Sequence, residues 1–506
     1  MPAKKRTSKH TAKKLSTGIV GLDDILAGGL TAHRLYLVEG VPGSGKTTLA
    51  MQFLIEGARL GEPVLYVTLS ESEEELREVA VSHGWDLSGI TLRELIPTEN
   101  SLHPDDQYTM FHPSEIEMTE TTKTILQDVE SVNPARVVFD SLSELRLLAG
   151  NPLRYRRQIL ALKHFFAGRR TTVLLLDDLT SSERDLQLQS IVHGVIRLEQ
   201  LYPEYGSERR RLMVLKYRGS NFRGGYHDYK IEEGGMAVYP RLVANEHNST
   251  SLAKRLNTGV TELDDLLGGG IECGTSALIL GAAGTGKSTI AAQFVAAAAA
   301  RGQHSCMFLF DESVNTLLER TTALGIDLKK HSKAGLITIK RVDPAEFSPG
   351  ELVHNVRACV EADNASIVVI DSLNGYLNAM PNERFLIIQL HELLTYLAQK
   401  NVATILISAQ KGIVGSSLQS PVDATYLADT VLLTRYYETQ GEVRQAISVI
   451  KKRRGRHERT IRDYSLGKGG IKLGPPLRGF RGVLSGVPVP EQAEGSDLRI
   501  PEQDEE

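Results

Sequence analysis

Short apolar runs alternate with amphipathic stretches, and the alternation occurs twice along this chain. In the first half, Arg34–Glu39 is expected as a strand, Lys46–Arg59 as a helix and Val64–Leu69 as a strand. Glu73–His83 follows as an acidic amphipathic helix. Arg136–Phe139 and Thr172–Leu176 have the composition of strands buried on both faces of a parallel sheet. The second half repeats the pattern with strands over Ser276–Leu280, Cys306–Phe310, Ile367–Ile370 and Thr404–Ile407. After the last core strand each half changes to hairpin-like segments. Gly194–Glu199 and Arg210–Lys216 flank one polar turn; Thr430–Tyr436 and Arg444–Lys451 flank another.

Between the first strand and first helix of each half lies a glycine-rich loop. Gly40-Val41-Pro42-Gly43-Ser44-Gly45-Lys46-Thr47 fits G-x-x-x-x-G-K-[ST], and so does Gly281-Ala282-Ala283-Gly284-Thr285-Gly286-Lys287-Ser288. Such a loop points backbone N–H groups at phosphates and opens a helix whose N-terminus favours anions. Nucleotide is therefore expected on Gly43, Ser44, Gly45, Lys46, Thr47 and Thr48, and again on Gly284, Thr285, Gly286, Lys287, Ser288 and Thr289. The lysines are placed to reach the β/γ oxygens of ATP, and Thr47 and Ser288 to ligate Mg²⁺. The expected fold class is α/β: tandem RecA-like P-loop NTPase domains, each a parallel sheet flanked by helices with antiparallel C-terminal strands.

The repeat extends beyond these loops. Leu15–Leu26 parallels Leu256–Leu267, and the P-loop lysines are offset by 287 − 46 = 241 residues. Val137-Val138-Phe139-Asp140-Ser141-Leu142 parallels Val368-Val369-Ile370-Asp371-Ser372-Leu373 at 371 − 140 = 231. Lys216-Tyr217-Arg218 parallels Lys451-Lys452-Arg453 at 451 − 216 = 235. So steady an offset describes a duplicated domain and not a solenoid of short repeats. At 506 residues the chain accommodates a basic disordered tail over 1–14, a first domain over 15–246, a linker over 247–255, a second domain over 256–488 and an acidic disordered tail over 489–506. The apolar runs are too short to span a membrane, and no apolar signal core follows the basic N-terminus, so the expected location is cytoplasmic. Three scattered cysteines, Cys273, Cys306 and Cys359, are expected as buried small hydrophobes and not as a disulfide framework or zinc site. A net charge of −4 gives no dedicated nucleic-acid surface.

Candidates for the remaining catalytic parts also occur twice. Asp140 and Asp371 each end an apolar strand, where a carboxylate would serve as metal anchor or as a helix cap. Glu71 and Glu312 follow the strand after the P-loop helix, suited to orienting an attacking water or to capping the next helix. Lys216 with Arg218, and Lys451 with Arg453, form Lys-x-Arg pairs. Each pair fits either a cationic finger for a neighbouring subunit's γ-phosphate or an exposed charged hairpin.

Together these residues resemble the KaiC family of tandem RecA-like ATPases, from Leu15 to about Pro488. The added markers are the lead-in Ser16–Asp23, Gly84-Trp85-Asp86-Leu87, Lys216-Tyr217-Arg218-Gly219 and the tail Phe480–Pro488. The resemblance implies an ATP-dependent homohexamer in two tiers, with nucleotide at subunit interfaces. It implies an ATPase first domain and an autokinase and autophosphatase second domain. It carries Lys46, Thr47, Glu71, Asp140, Lys216 and Arg218 into one site, and Lys287, Ser288, Glu312, Asp371, Lys451 and Arg453 into the other. It also points to Ser82 as a nucleotide contact. Thr425 falls where the family carries a phosphoacceptor, but its neighbour is Tyr426 in place of a second Ser or Thr. Ser70 stands beside Glu71 where the second half has Asp311, and Arg454 replaces the glycine of Gly219. The expected function is an oligomeric signalling ATPase with Ser/Thr autokinase activity, acting through unidentified regulatory partners. A nucleic-acid-stimulated motor and a nucleotide-assembled scaffold with little turnover are the alternatives.

Overall fold

The computed structural model describes residues 13–95, 113–179, 186–244, 254–378, 386–410, 425–485 and 489–490. By contact density the chain divides into two compact units, Met1–Arg241 and Leu242–Glu506. The division falls just before Leu242, which joins the core of the second unit, and Ala244 N donates to Glu392 there at 2.9 Å.

In the first unit nine strands form one sheet. They are β1 (Leu35–Gly40), β2 (Val64–Thr68), β3 (Thr91–Glu94), β4 (Arg136–Asp140), β5 (Thr172–Asp178), β6 (Gly194–Leu201), β7 (Arg209–Tyr217), β8 (Tyr226–Glu232) and β9 (Gly235–Tyr239). Their order is β9-β8-β7-β6-β1-β5-β4-β2-β3. Strands β1 to β6 run parallel, and β7 to β9 continue antiparallel from β6. The second unit uses β10 (Ser276–Gly281), β11 (Ser305–Leu309), β12 (Ile337–Arg341), β13 (Ile367–Asp371), β14 (Ala403–Ala409), β15 (Thr430–Thr439), β16 (Glu442–Lys452), β17 (Arg462–Gly467) and β18 (Gly470–Pro476). Its order, β12-β11-β13-β14-β10-β15-β16-β17-β18, is that of the first sheet with every strand advanced by nine. The two sheets are therefore comparable position by position.

The central strands are wholly buried because helices cover both faces of each sheet, and each unit accordingly holds two large apolar clusters, one per face. The expected elements are present with ends moved by at most three residues. The helix Lys46–Arg59 (α1) matches its expected span. The helix Glu73–Ser82 (α2) starts at a capping box in which Ser72 Oγ accepts from Glu75 N, and the Glu75 carboxylate accepts from Ser72 N. In the second unit Lys287–Ala300 (α3) and Val314–Ala323 (α4) correspond, with Ser313 as N-cap of α4.

Three expected boundaries need correction. Lys14, assigned above to the disordered tail, lies in a two-residue strand paired with Leu30–Thr31. Its ammonium donates to Leu26 O, Gly29 O, Tyr217 Oη and Ser220 Oγ, which is enough to order a basic side chain. Arg255, assigned to the linker, pairs likewise with Glu272. Val489–Pro490, assigned to the acidic tail, pairs with Phe480–Arg481. Residues 1–12, 245–253 and 491–506, which include most of both tails and of the linker, lie outside the described residues. The cysteines are free and buried; Cys306 and Cys359 come from distant segments and hydrogen-bond one another. Among the described residues no helix is long and apolar enough to cross a membrane.

Candidate nucleotide site in each module

Each P-loop leaves its central strand and turns at glycines of positive φ. These are Gly43 (80°) and Gly45 (89°) in the first module, and Gly284 (80°) and Gly286 (82°) in the second. A Cβ at Gly45 would lie 2.5 Å from Ile231 Cδ1, and one at Gly286 2.5 Å from Leu466 Cδ1. The positive φ favours glycine at both positions, and any larger residue would also have to move the neighbouring Ile231 or Leu466 side chain. The last glycine caps the helix that follows, and its amides face the open end of the loop.

In the first module the expected residues converge. Thr47 Oγ1 donates to Asp140 Oδ2 at 2.9 Å, so the hydroxyl and carboxylate proposed as metal ligands are already adjacent. Tyr66 Oη donates to the same oxygen at 2.5 Å. Burial pushes the Asp140 carboxyl up, and the two hydroxyls oppose that shift. Lys46 lies buried against its own loop, donating to Gly40 O and Val41 O at 3.1 Å each, and forms an ion pair with Asp178 at 2.6 Å. Glu71 follows β2, with its backbone tied to Thr68 Oγ1. Its carboxyl is held above the usual range, first by burial and then by the charges of Asp140, Glu75 and Asp178, with Lys46 opposing. Because Ser72 caps α2, Glu71 is not needed as the cap. Asp140 is likewise not the cap of the helix Leu142–Ala149, whose N-cap is Ser141.

In the second module a cavity of about 610 Å³ gathers Lys287, Ser288, Thr289, Asp311, Glu312, Arg320 and Asp371 beside Gly284 and Gly286. That volume suits a nucleotide-sized ligand. Thr285 lies beneath it, fully buried, its hydroxyl bonded to Ala282 O and Thr434 Oγ1. Burial pushes the Asp371 carboxyl up to about 6; a hydrogen bond from Ser288 opposes this, while Glu312 and Asp311 reinforce it. Asp371 Oδ2 is buried and has no hydrogen-bond partner among the described residues. A desolvated carboxylate oxygen beside a serine hydroxyl suits a hard divalent cation. The residues present therefore fit Mg²⁺.

Register explains why that oxygen has no partner. Thr68 pairs with Asp140 and Leu309 with Asp371, so Met307 occupies the place of Tyr66 and supplies no hydroxyl. Three further differences surround the P-loop lysines. Ala409 stands where the first module has Asp178, since Gly281 pairs with Ala409 and Gly40 with Asp178. Arg320, at the position of Val79, donates to Glu312 Oε1 and Thr289 Oγ1 at 2.7 Å each. Asp311, at the position of Ser70, accepts a hydrogen bond from Ser372 Oγ. Tyr66, Asp178 and Arg320 escaped the sequence reading. The Asp177-Asp178 pair closing an apolar run, as Asp140 closes its own, was the available signal.

The chain belongs to the KaiC family. The family model described as "ATPase: KaiC" matches residues 15–243 and 256–478, one copy on each module. The chain is 27% identical over 483 residues to the circadian clock oscillator protein KaiC of Picosynechococcus sp., covering 94% of this chain and 92% of that protein. It is 26% identical over 485 residues to the circadian clock protein KaiC3 of Synechocystis sp., covering 94% and 95%. It is 28% identical over 489 residues to the circadian clock oscillator protein KaiC of Thermosynechococcus vestitus, covering 95% and 93%. ATP binding is a property of the family whose model matches both halves of this chain.

The Lys-x-Arg pairs sit elsewhere. Lys216 pairs with Val195, which pairs with Leu37; Lys451 pairs with Val431, which pairs with Leu278. Each pair therefore lies toward the end of its sheet opposite its own P-loop. Three residues along and two strands across amount to about 14 Å from Gly40 or Gly281. Lys216 Nζ donates to Gln189 O and Ser190 O, and Arg218 also donates to Ser190 O. Lys451 Nζ donates to Thr425 O at 2.8 Å, and Arg453 to Tyr426 O at 2.7 Å. Thr425 is half-buried and Tyr426 is 53% exposed; Asp423 and Ala424 lie outside the described residues. Ser82 is exposed at the end of α2, bonded to Val79 O, and is not gathered with the P-loop residues of its own module.

Proposed function

We propose that this KaiC-family chain binds ATP at both modules and hydrolyses it at the first. At the second we propose transfer of the γ-phosphoryl group to Thr425 of a neighbouring copy. The observation that carries the reading is the convergence of a P-loop lysine, a P-loop hydroxyl, a strand-end aspartate and a glutamate in each module. Thr47 bonded to Asp140 at 2.9 Å is its clearest instance. Thr47 with Asp140, and Ser288 with Asp371, would hold Mg²⁺, which when bound neutralises the β and γ oxygens. Lys46 and Lys287 neutralise the same oxygens from the loop side.

Glu71 is suited to hydrolysis. Its raised carboxyl lies closer to neutrality than an exposed glutamate, and it accepts a hydrogen bond from the attacking water and then its proton. Glu312 differs, because Arg320 occupies one of its oxygens. In the second site a Thr425 hydroxyl would attack the γ-phosphorus and the bond to the β–γ bridging oxygen would break. ADP would leave and the hydroxyl proton would pass to Glu312. Because Thr425 and Lys451 lie at the end of the sheet opposite their own P-loop, both the acceptor and the Lys-x-Arg cations reach a phosphate only across a subunit interface. This favours a homo-oligomer, a hexamer by family resemblance, with nucleotide between copies.

Phosphate release and label incorporation from γ-labelled ATP test this directly. Glu71→Gln is expected to lower release by at least about 100-fold at the first site, measured with the second P-loop disabled by Lys287→Ala. Label is expected on Thr425 and absent from Thr425→Ala. Turnover unchanged in Glu71→Gln, or stimulated several-fold by single-stranded DNA, would refute the reading of the first site. Absence of label would refute the autokinase.

A further inference from the structure

We propose that Asp178 is an anionic latch on the first P-loop, holding Lys46 in place of a γ-phosphoryl oxygen and weakening triphosphate binding there relative to the second site. The inference rests on the P-loop reading above and deepens it.

An ammonium has three protons to donate. Those of Lys46 go to Gly40 O, Val41 O and Asp178 Oδ1, the last at 2.6 Å. The lysine is 7% exposed and Asp178 25%, so the pair is largely withdrawn from solvent. Asp178 is placed by the sheet, at the last residue of β5 and directly opposite Gly40 at the root of the P-loop. Its backbone N–H accepts orientation from Ser143, donating to Ser143 Oγ at 3.3 Å, and the same hydroxyl lies 3.4 Å from Asp178 Oδ2. A γ-phosphoryl oxygen entering the first site must displace this carboxylate from Lys46 or lie beside it as a like charge.

The second module lacks the device. Ala409 occupies the register position of Asp178, and Lys287 donates to Ala282 O at 2.7 Å. The wider charge balance points the same way. Glu71, Asp140 and Asp178 face Lys46, whereas Asp311, Glu312 and Asp371 face Lys287 together with Arg320. The first site thus carries one more uncompensated negative charge at the place where a triphosphate adds its own.

The test is titration calorimetry of the full chain with a non-hydrolysable ATP analogue and with ADP, both with Mg²⁺. Lys287→Ala isolates the first site and Lys46→Ala the second. Asp178→Asn, which keeps the shape and removes the charge, is expected to tighten the analogue at the first site by roughly tenfold and ADP by less, as loss of a competing charge-assisted bond implies. Ala409→Asp is expected to weaken the analogue at the second site. Analogue affinity unchanged or weakened in Asp178→Asn would overturn the latch while leaving the P-loop reading intact, provided Lys46→Ala abolishes first-site binding. Wild-type binding by the Lys46→Ala, Lys287→Ala double variant would overturn the P-loop reading, and the latch with it.

Discussion

His227 makes the stability of the first module sensitive to acid, and the size of the effect follows from its surroundings. The imidazole is 1% exposed on β8. Arg241 N donates to Nδ1 at 2.8 Å, which fixes the neutral ring with its proton on Nε2, donated to Arg223 O at 2.9 Å. Protonation would destroy the Nδ1 acceptor and place a buried cation beside Arg223 and Arg241, with Asp24 the opposing charge. Burial leads these causes and lowers the pKa to about 4 from an ordinary 6.5. The folded value is depressed, so the contribution is intact above pH 6.5 and is lost as pH falls toward 4. Over that window the unfolded chain binds a proton that the folded chain refuses. At about 1.4 kcal/mol per unit the loss is about 3 kcal/mol. Trp85, the single tryptophan, reports on the first module alone, so urea unfolding followed by its fluorescence is the assay. His227→Asn retains an acceptor near Nδ1 but does not titrate. The gap between wild type and variant is expected to shift by about 3 kcal/mol between pH 6.5 and 4. His193, also lowered to about 4, is present in both proteins and cancels. Parallel stability curves over this range would refute the argument.

Three other outcomes are expected. Arg136 is fully buried, pairs with Glu62 at 2.6 Å and donates to Ser16 O and Phe53 O; Arg136→Leu strands those acceptors and is expected to cost about 3–5 kcal/mol in first-module unfolding. Chains with Lys451→Ala and Arg453→Ala, mixed and reassembled with Lys287→Ala chains, are expected to regain roughly a quarter of second-site activity. Random assembly brings an intact P-loop against an intact cationic pair at that frequency; activity no higher than that of the separate variants would refute action between copies. Arg320→Ala, in a Lys46→Ala background, is expected to raise phosphate release from the second site several-fold by freeing Glu312, and Val79→Arg to lower release from the first; unchanged rates by phosphate assay would count against Arg320 restraining the base.

Much of the fold was legible because parallel strands under two helical layers must be apolar at every position. Val64–Thr68 and Ile367–Asp371 stand out in the sequence for that reason. The P-loops were legible because phosphate binding demands glycines at fixed spacing. The antiparallel extension was read only as far as its first hairpin; β8 is mixed in burial and β9 is only five residues long, so neither has a distinct pattern. Lys14 and Arg255 were misplaced because a two-residue strand has no periodicity, and two of the groups that order Lys14, the hydroxyls of Tyr217 and Ser220, come from far along the chain. Tyr66 read as one more core residue, since nothing in a buried run tells which hydroxyl meets a carboxylate on the next strand. Asp178 and Arg320 acquire meaning only through register, when sheet and helix bring them to the P-loop lysine and to Glu312.

The Lys-x-Arg pair of the second module donates to the carbonyls of Thr425 and Tyr426, and Arg453 also pairs with Asp429. Any anion on another copy that draws those cations away also removes two of the bonds that hold the turn carrying Thr425. The turn would loosen as the neighbouring phosphate is engaged and tighten again as the phosphate departs. Acceptor mobility and nucleotide occupancy would then be two ends of one lever, with the fulcrum at the close of β16.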